Sequence, residues 1–118
     1  MSTLSSPMHF DLPRLLESEQ LWRPFRQGIE IQPLYGDVGA GAAAAMLRYQ
    51  PGSALPRHRH AGFEHIWVLS GSQRDASGEY GPGSFIVNPP DSTHSVDSPE
   101  GCIVMVVWER PVRFEESC

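Results

Sequence analysis

Residues 52–71 read GSALPRHRHAGFEHIWVLSG, with His58, His60, Glu64 and His65 inside eight positions and a glycine at either end. In an extended strand, side chains of equal parity share one face. His58 and His60 therefore point the same way, about 7 Å apart along the chain, with Arg57 and Arg59 opposite. Glu64 shares their parity, and a turn at residues 61–63 brings its carboxylate back level with the two rings. Three such groups converging inside a barrel repel one another and lose hydration unless something satisfies them. A divalent cation does so, because neutral imidazoles offer lone pairs and a carboxylate offers charge. An HxH pair on a surface strand needs no ion, so the spacing alone leaves both readings open. His65 has the other parity and is expected to face away; His9 lies in a stretch without pattern and is read as incidental.

Eleven glycines and eleven prolines are spread along the 118 residues, which argues against long helices. Between them lie short runs rich in β-branched and aromatic residues at 28–35, 42–49, 64–70, 84–88, 93–97, 102–109 and 112–114. Short strands separated by turn signals are the pattern of a β-sandwich or barrel. QPGS, YGPGS and NPPDS supply turns, and SQRDASGEY reads as a hairpin bending near Asp75–Gly78. Residues 42–45 are all alanine, a helix-favouring run, but a glycine-rich turn precedes them and MLRYQPG continues them, so a strand is expected. Residues 1–21 form an arm or short helix, 22–114 the barrel and 115–118 a tail. The run CIVMVVW is apolar at both parities, so both of its faces should be covered, and a homodimer is expected to supply part of the cover.

Length sets one domain, and no run of 18 apolar residues predicts a membrane span. The opening lacks the basic and apolar regions of a secretion signal, so a cytoplasmic location is expected. Net charge is −5 with scattered arginines, a poor match to nucleic acid. All nine basic residues are arginine; the absence of lysine removes Schiff-base and P-loop chemistry. Cys102 and Cys118 are the two cysteines, and a bridge to the last residue is not expected.

The frame around the histidines carries a resemblance. Gly52, five residues, His58, one residue, His60, three residues, Glu64, six residues and Gly71 meet the first motif of the cupin superfamily, G(X)5HXH(X)3–4E(X)6G, at every position. The second motif, G(X)5PXG(X)2H(X)3N, begins at Gly83 and stays in register through Pro89 and His94. Asp91 stands where that motif has glycine and Ser98 where it has asparagine. Aspartate is among the few residues that tolerate a positive φ, so the first departure leaves His94 in place. The chain thus resembles a single-domain cupin, an all-β jelly-roll barrel (double-stranded β-helix) of two antiparallel sheets. The resemblance implies His58, His60, Glu64 and His94 as ligands of a divalent metal, with zinc, iron and manganese all open. LPRHRHAGFEHIWVLSGS, NPPDSTHSV and WERPV further resemble ChrR-like cupins, whose founding anti-sigma factor adds a helical half with an HxxxCxxC zinc site. These 118 residues hold no such motif, so sigma-factor binding is not implied.

Two functions follow as expectations. One is a metal-dependent, dioxygenase-like enzyme on a small oxygenated ligand, its wall built from Ile66, Val68 and Met105 or Trp108, with Tyr49 or Arg48 facing in. The other is a ChrR-like sensor or regulatory module without turnover. No catalytic residue beyond the metal ligands is identified; Asp91, Glu79 and Glu109 read as turn or rim residues.

Overall fold

The computed structural model describes residues 6–115. The expected turns form where glycine and proline place them: the amide of Ser53 donates to Gln50, that of Ser84 to Gly81 and that of Ser92 to Pro89. Eleven strands result: β1 (Arg23–Arg26), β2 (Ile29–Gly36), β3 (Ala43–Tyr49), β4 (Ser53–His60), β5 (Glu64–Gly71), β6 (Gln73–Asp75), β7 (Gly78–Tyr80), β8 (Phe85–Asn88), β9 (Thr93–Ser98), β10 (Cys102–Trp108) and β11 (Val112–Phe114). They make a six-stranded sheet ordered β1-β2-β3-β10-β5-β8 and a five-stranded sheet ordered β11-β4-β9-β6-β7. Pairing is antiparallel throughout. The sheets face each other over one core, to which Leu47, Val68 and Val104 contribute from the first and Leu55 and Val96 from the second. Fully burying an aliphatic side chain of this kind contributes about 1.5–3 kcal/mol.

The alanine run is strand, as expected. Ala43 and Ala45 turn inward while Ala44 and Met46 face out, yet all four are buried. A short helix α1 (Leu12–Leu16) and a 3-10 turn (Glu19–Leu21) explain this. Asp11 caps α1 by accepting from the Arg14 amide. Gln32 on β2 donates to the Leu15 carbonyl at 3.0 Å. Arg48 on β3 lies over the Trp22 ring and pairs with both Glu19 and Glu30. Residues 12–22 thus roof the outer face of β2 and β3, where tertiary contact overrides the helix preference of alanine.

Three features were not legible in the sequence. β1 has the polar sequence RPFR and contains Pro24; it survives as a sheet edge, where a residue without an N–H is tolerated. β4 carries a bulge between Leu55 and His58. Simple alternation would put Leu55 and the histidines on opposite faces, and the extra residue turns both inward. The outer side of β10 is only half-covered, because Ile103, Met105 and Val107 lie beyond the reach of the N-terminal roof. Cys102 is buried and free, and Cys118 lies outside the described residues.

Candidate metal centre

His58 and His60 project from β4, His94 from β9 and Glu64 from the start of β5 in the opposite sheet. His58 and His94 are direct cross-strand partners. One nitrogen from each ring and one Glu64 oxygen lie within 4.8 Å of one another, and the ring centroids stand 4.6–5.0 Å apart. His58, His60 and Glu64 are buried. The parity argument thus places all three motif-1 side chains on the inner face.

What each ring does with its other nitrogen fixes what it offers the centre. His58 Nδ1 donates to the Pro56 carbonyl at 2.9 Å, and His60 Nδ1 meets the Ser92 carbonyl and hydroxyl at 3.1 and 2.9 Å. The Asp75 carboxylate stands 3.7 Å from His94 Nδ1. Each ring therefore turns its Nε2 toward the centre. His58 Nε2 and His94 Nε2 face each other at 3.0 Å, and His60 Nε2 faces Glu64 Oε1 at 3.0 Å. Buried His60 Nε2 has no other partner. Acceptors set this close need a proton or a cation between them. Three borderline nitrogens and one carboxylate oxygen are a donor set that zinc, iron and manganese all accept, so these four residues fit the ion that the motifs imply.

The carboxylate is held from both sides. Glu64 pairs in register with Trp108 on β10 and Asn88 on β8. Trp108 Nε1 donates to Oε2 at 2.7 Å and Asn88 Nδ2 to Oε1 at 3.0 Å. Burial, the largest single influence, raises the Glu64 pKa, but the hydrogen bond and charge of His60 with the charges of His58 and His94 outweigh it, and the net direction is down. Burial pushes the His58 pKa down and takes His94 from 6.5 to about 4, the His58 charge adding to the second shift. Neutral histidines and an ionised glutamate are the protonation states that ligation requires.

The His94 shift has a consequence for the metal-free protein. Between about pH 4 and 6.5 its unfolded chain binds more protons than the folded one, so stability rises with pH across that window and is complete above it. One such histidine contributes a slope of at most about 1.4 kcal/mol per pH unit. Urea unfolding of metal-free protein is expected to show a lower midpoint at pH 5 than at pH 7.5, and His94→Gln should flatten the difference.

Asp75 is a contributor that sequence reading placed only in a hairpin bend. Its Oδ1 accepts from the amides of Ser77 and Gly78 and from the Tyr80 hydroxyl, which leaves Oδ2 toward His94. Carboxylates behind a ligating histidine orient it and raise its basicity, and their loss costs about 10–100-fold in affinity. Asp75→Asn keeps an acceptor for the turn and removes the charge, so metal affinity should fall about tenfold or more with little change in metal-free melting; titration calorimetry measures both the affinity and its loss.

Beside the ligands lies a cavity of about 20 Å³, room for about one water. Leu47, Ile66 and Val106 line it from one sheet, and Leu55, Val96 and Phe114 from the other. Phe114 also packs on His58, with centroids 5.3 Å apart. Tyr49 and Gln73 share a hydrogen bond in the wall, and burial keeps the phenol well above its usual pKa, so Tyr49 is no base at neutral pH. Trp108 and Ile66 face inward as expected and Tyr49 rather than Arg48 does so. Met105 faces out, and Val68 is core but not wall. Glu109 accepts from the Phe63 amide, Glu79 from Ser72, and Asp91 is exposed at a turn. Asn88, Ser92 and Asp75 were missed. Only register shows that Asn88 lies opposite Glu64, although NPPD lies within the second motif.

Two antiparallel sheets with histidines and a glutamate converging inside define a cupin barrel. The ChrR Cupin-like domain model matches residues 15–112, and the chain belongs to that family. The anti-sigma-E factor ChrR of Cereibacter sphaeroides is 30% identical over 95 residues, 79% of this chain and 44% of that protein. The chain thus spans less than half the length of that relative. The structure of Rhodobacter sphaeroides SigE in complex with the anti-sigma ChrR is similar at 28% identity and a TM-score of 0.66, covering 74% of this chain and 48% of that one. An acetylacetone dioxygenase from Acinetobacter johnsonii superimposes over 96% of this chain and 80% of its own, with a TM-score of 0.80 at 17% identity, a likeness of fold. No described helix is long and apolar enough to cross a membrane.

Proposed function

We propose that this chain is a metal-holding cupin module of the regulatory kind, binding one divalent cation through His58, His60, Glu64 and His94 and reporting on a ligand no larger than a few atoms. The observation that carries the reading is the size of the space at the ligands. About 20 Å³ takes a water or a diatomic molecule and not a small organic substrate. Apolar side chains from both sheets fill the rest of the interior, and a close-packed interior yields little to a larger guest. When bound, the cation supplies Lewis acidity and an attraction for small oxygen ligands. The chain's own part is to orient the imidazoles through Pro56, Ser92 and Asp75, to favour neutral His58 and His94 by burial, and to hold the Glu64 carboxylate in place through Trp108 and Asn88. ChrR is an anti-sigma factor, and the protein partner of that relative is not carried over to this chain.

A second reading, a dioxygenase-like enzyme, is favoured by one observation. Two ligand pairs stand 3.0 Å apart. With metal–ligand bonds of about 2.1 Å, neighbours at right angles lie ~3.0 Å apart and tetrahedral ones ~3.4 Å. An ion held by His58, His60, Glu64 and His94 with such neighbours at right angles would be six-coordinate and would have two positions for small ligands.

The two readings separate in one experiment. Manganese-loaded protein is examined by water-proton relaxation with and without a small β-dicarbonyl. The module reading predicts that fast relaxation persists and that no oxygen is consumed. Loss of the relaxation signal with oxygen uptake would overturn it in favour of the enzyme.

A further inference from the structure

The outer face of the larger sheet is divided. Over β2 and β3 it is roofed by residues 12–22; over β10, β5 and β8 it is open. Cross-strand pairs set Val107, His65 and Val87 in one row and Met105, Trp67 and Phe85 in the next. The ring of Phe63 stacks on His65, which leads on to Phe85 and Trp67 at centroid distances of 5.7–6.3 Å. Trp67 is 52% exposed, Phe85 61%, Val87 46% and Phe63 44%. Scattered apolar residues on a surface need no explanation, whereas a contiguous aromatic face does.

We infer that this face is the interface of a homodimer, the same patch of a second copy of this chain lying on it about a twofold axis. The first argument is area. Aromatic side chains offer roughly 150–250 Å² each, so the exposed fractions of Phe63, Trp67 and Phe85 amount to roughly 300 Å². Val87 and the half-buried Leu69, Ile103, Met105 and Val107 bring the apolar total to roughly 500 Å². A standard interface takes about 800 Å² from each partner, a little over half of it apolar. One patch therefore matches one side of a dimer.

The second argument is charge. No Asp, Glu or Arg stands at an outward position of β10, β5 or β8 between His65 and Val107. The outer face of the other sheet carries Arg57, Arg59, Arg74, Asp97 and Arg113. Foreign partners are selected largely by complementary charge, which this face does not offer. Copies that each carry −5 repel over the rest of their surface and meet without that cost here. An isologous contact needs only that the patch match itself, and an open sheet face does so by aligned packing at about 10 Å.

Sedimentation of the full chain up to about 100 µM, where a dimer of ~10 µM affinity or better is assembled, tests this. The wild type is expected at twice the chain mass, and Trp67→Arg and Phe85→Arg each at the single mass with unchanged metal-free melting. Both side chains are more than half exposed in one chain, so the two variants serve as checks on each other's folding. A wild type that stays at one chain mass would overturn the inference. A dimer that persists in a folded variant would overturn it too, by locating the contact elsewhere.

Discussion

His60→Ala is expected to abolish stoichiometric metal binding. The wild-type chain should take up one zinc or manganese ion, and the variant should bind it at least ~100-fold more weakly, since loss of an outer partner alone costs about 10–100-fold. The reason is more than one missing bond. His60 Nε2 faces Glu64 Oε1 at 3.0 Å and has no other partner, while its Nδ1 is tied to Ser92. Its removal takes from the Glu64 carboxylate its imidazole neighbour, leaving Trp108 and Asn88, and opens a hole beside His58 and His94. The metal-free variant should still fold, because the inward lone pairs cost stability rather than supply it. Isothermal titration of the metal-free proteins reads the affinities directly. Uptake of one ion at wild-type affinity by the variant would remove His60 from the ligand set.

Gly71→Ala is expected to be strongly destabilising, at about 3 kcal/mol or more. Gly71 has φ +70°, a conformation that costs an L-residue about 1–2 kcal/mol. A Cβ there would drive into the Gly101 carbonyl and the Cys102 backbone on the adjoining strand, where the backbone cannot give way without breaking the β5–β10 ladder. In a domain of this size the melting temperature should fall by roughly 10 °C or more. Thermal unfolding followed by circular dichroism measures it. Gly52, also in the left-handed region but with open space around it, provides the comparison: Gly52→Ala should cost only the conformational part. Equal losses at the two positions would show that the close approach at Gly71 contributes nothing.

These two positions show why so much was legible in the sequence. Motifs are readable where a backbone or a ligand atom admits few residue types. Gly71 marks a contact too close for a side chain, and Asp91 takes φ +72°, the region its motif position normally gives to glycine, so His94 keeps its place. The alternation of β5 and β10 and the HxH spacing were readable for the same reason: parity is local. What stayed hidden depends on register between strands far apart in the chain. Trp108 and Asn88 reach Glu64 only because β10 and β8 flank β5 at that level, and Asp75 reaches His94 only because the β6–β7 hairpin folds beside β9. The bulge at Pro56 and Arg57 is invisible to a parity count, and local pattern leaves Met105 and Trp108 as equal candidates for the wall, of which only Trp108 faces in. Cavity size is likewise a sum over both sheets, which no single stretch announces.

The account rests on the four side chains holding an ion. The most direct test is the metal content of untagged protein, with zinc, iron and manganese measured together by mass spectrometry beside a His58→Ala control. One divalent ion in total per chain, lost in the control, is the predicted result. Less than a tenth of an ion per chain in wild-type protein, both as isolated and after incubation with each metal followed by desalting, would contradict the central claim and leave only the barrel.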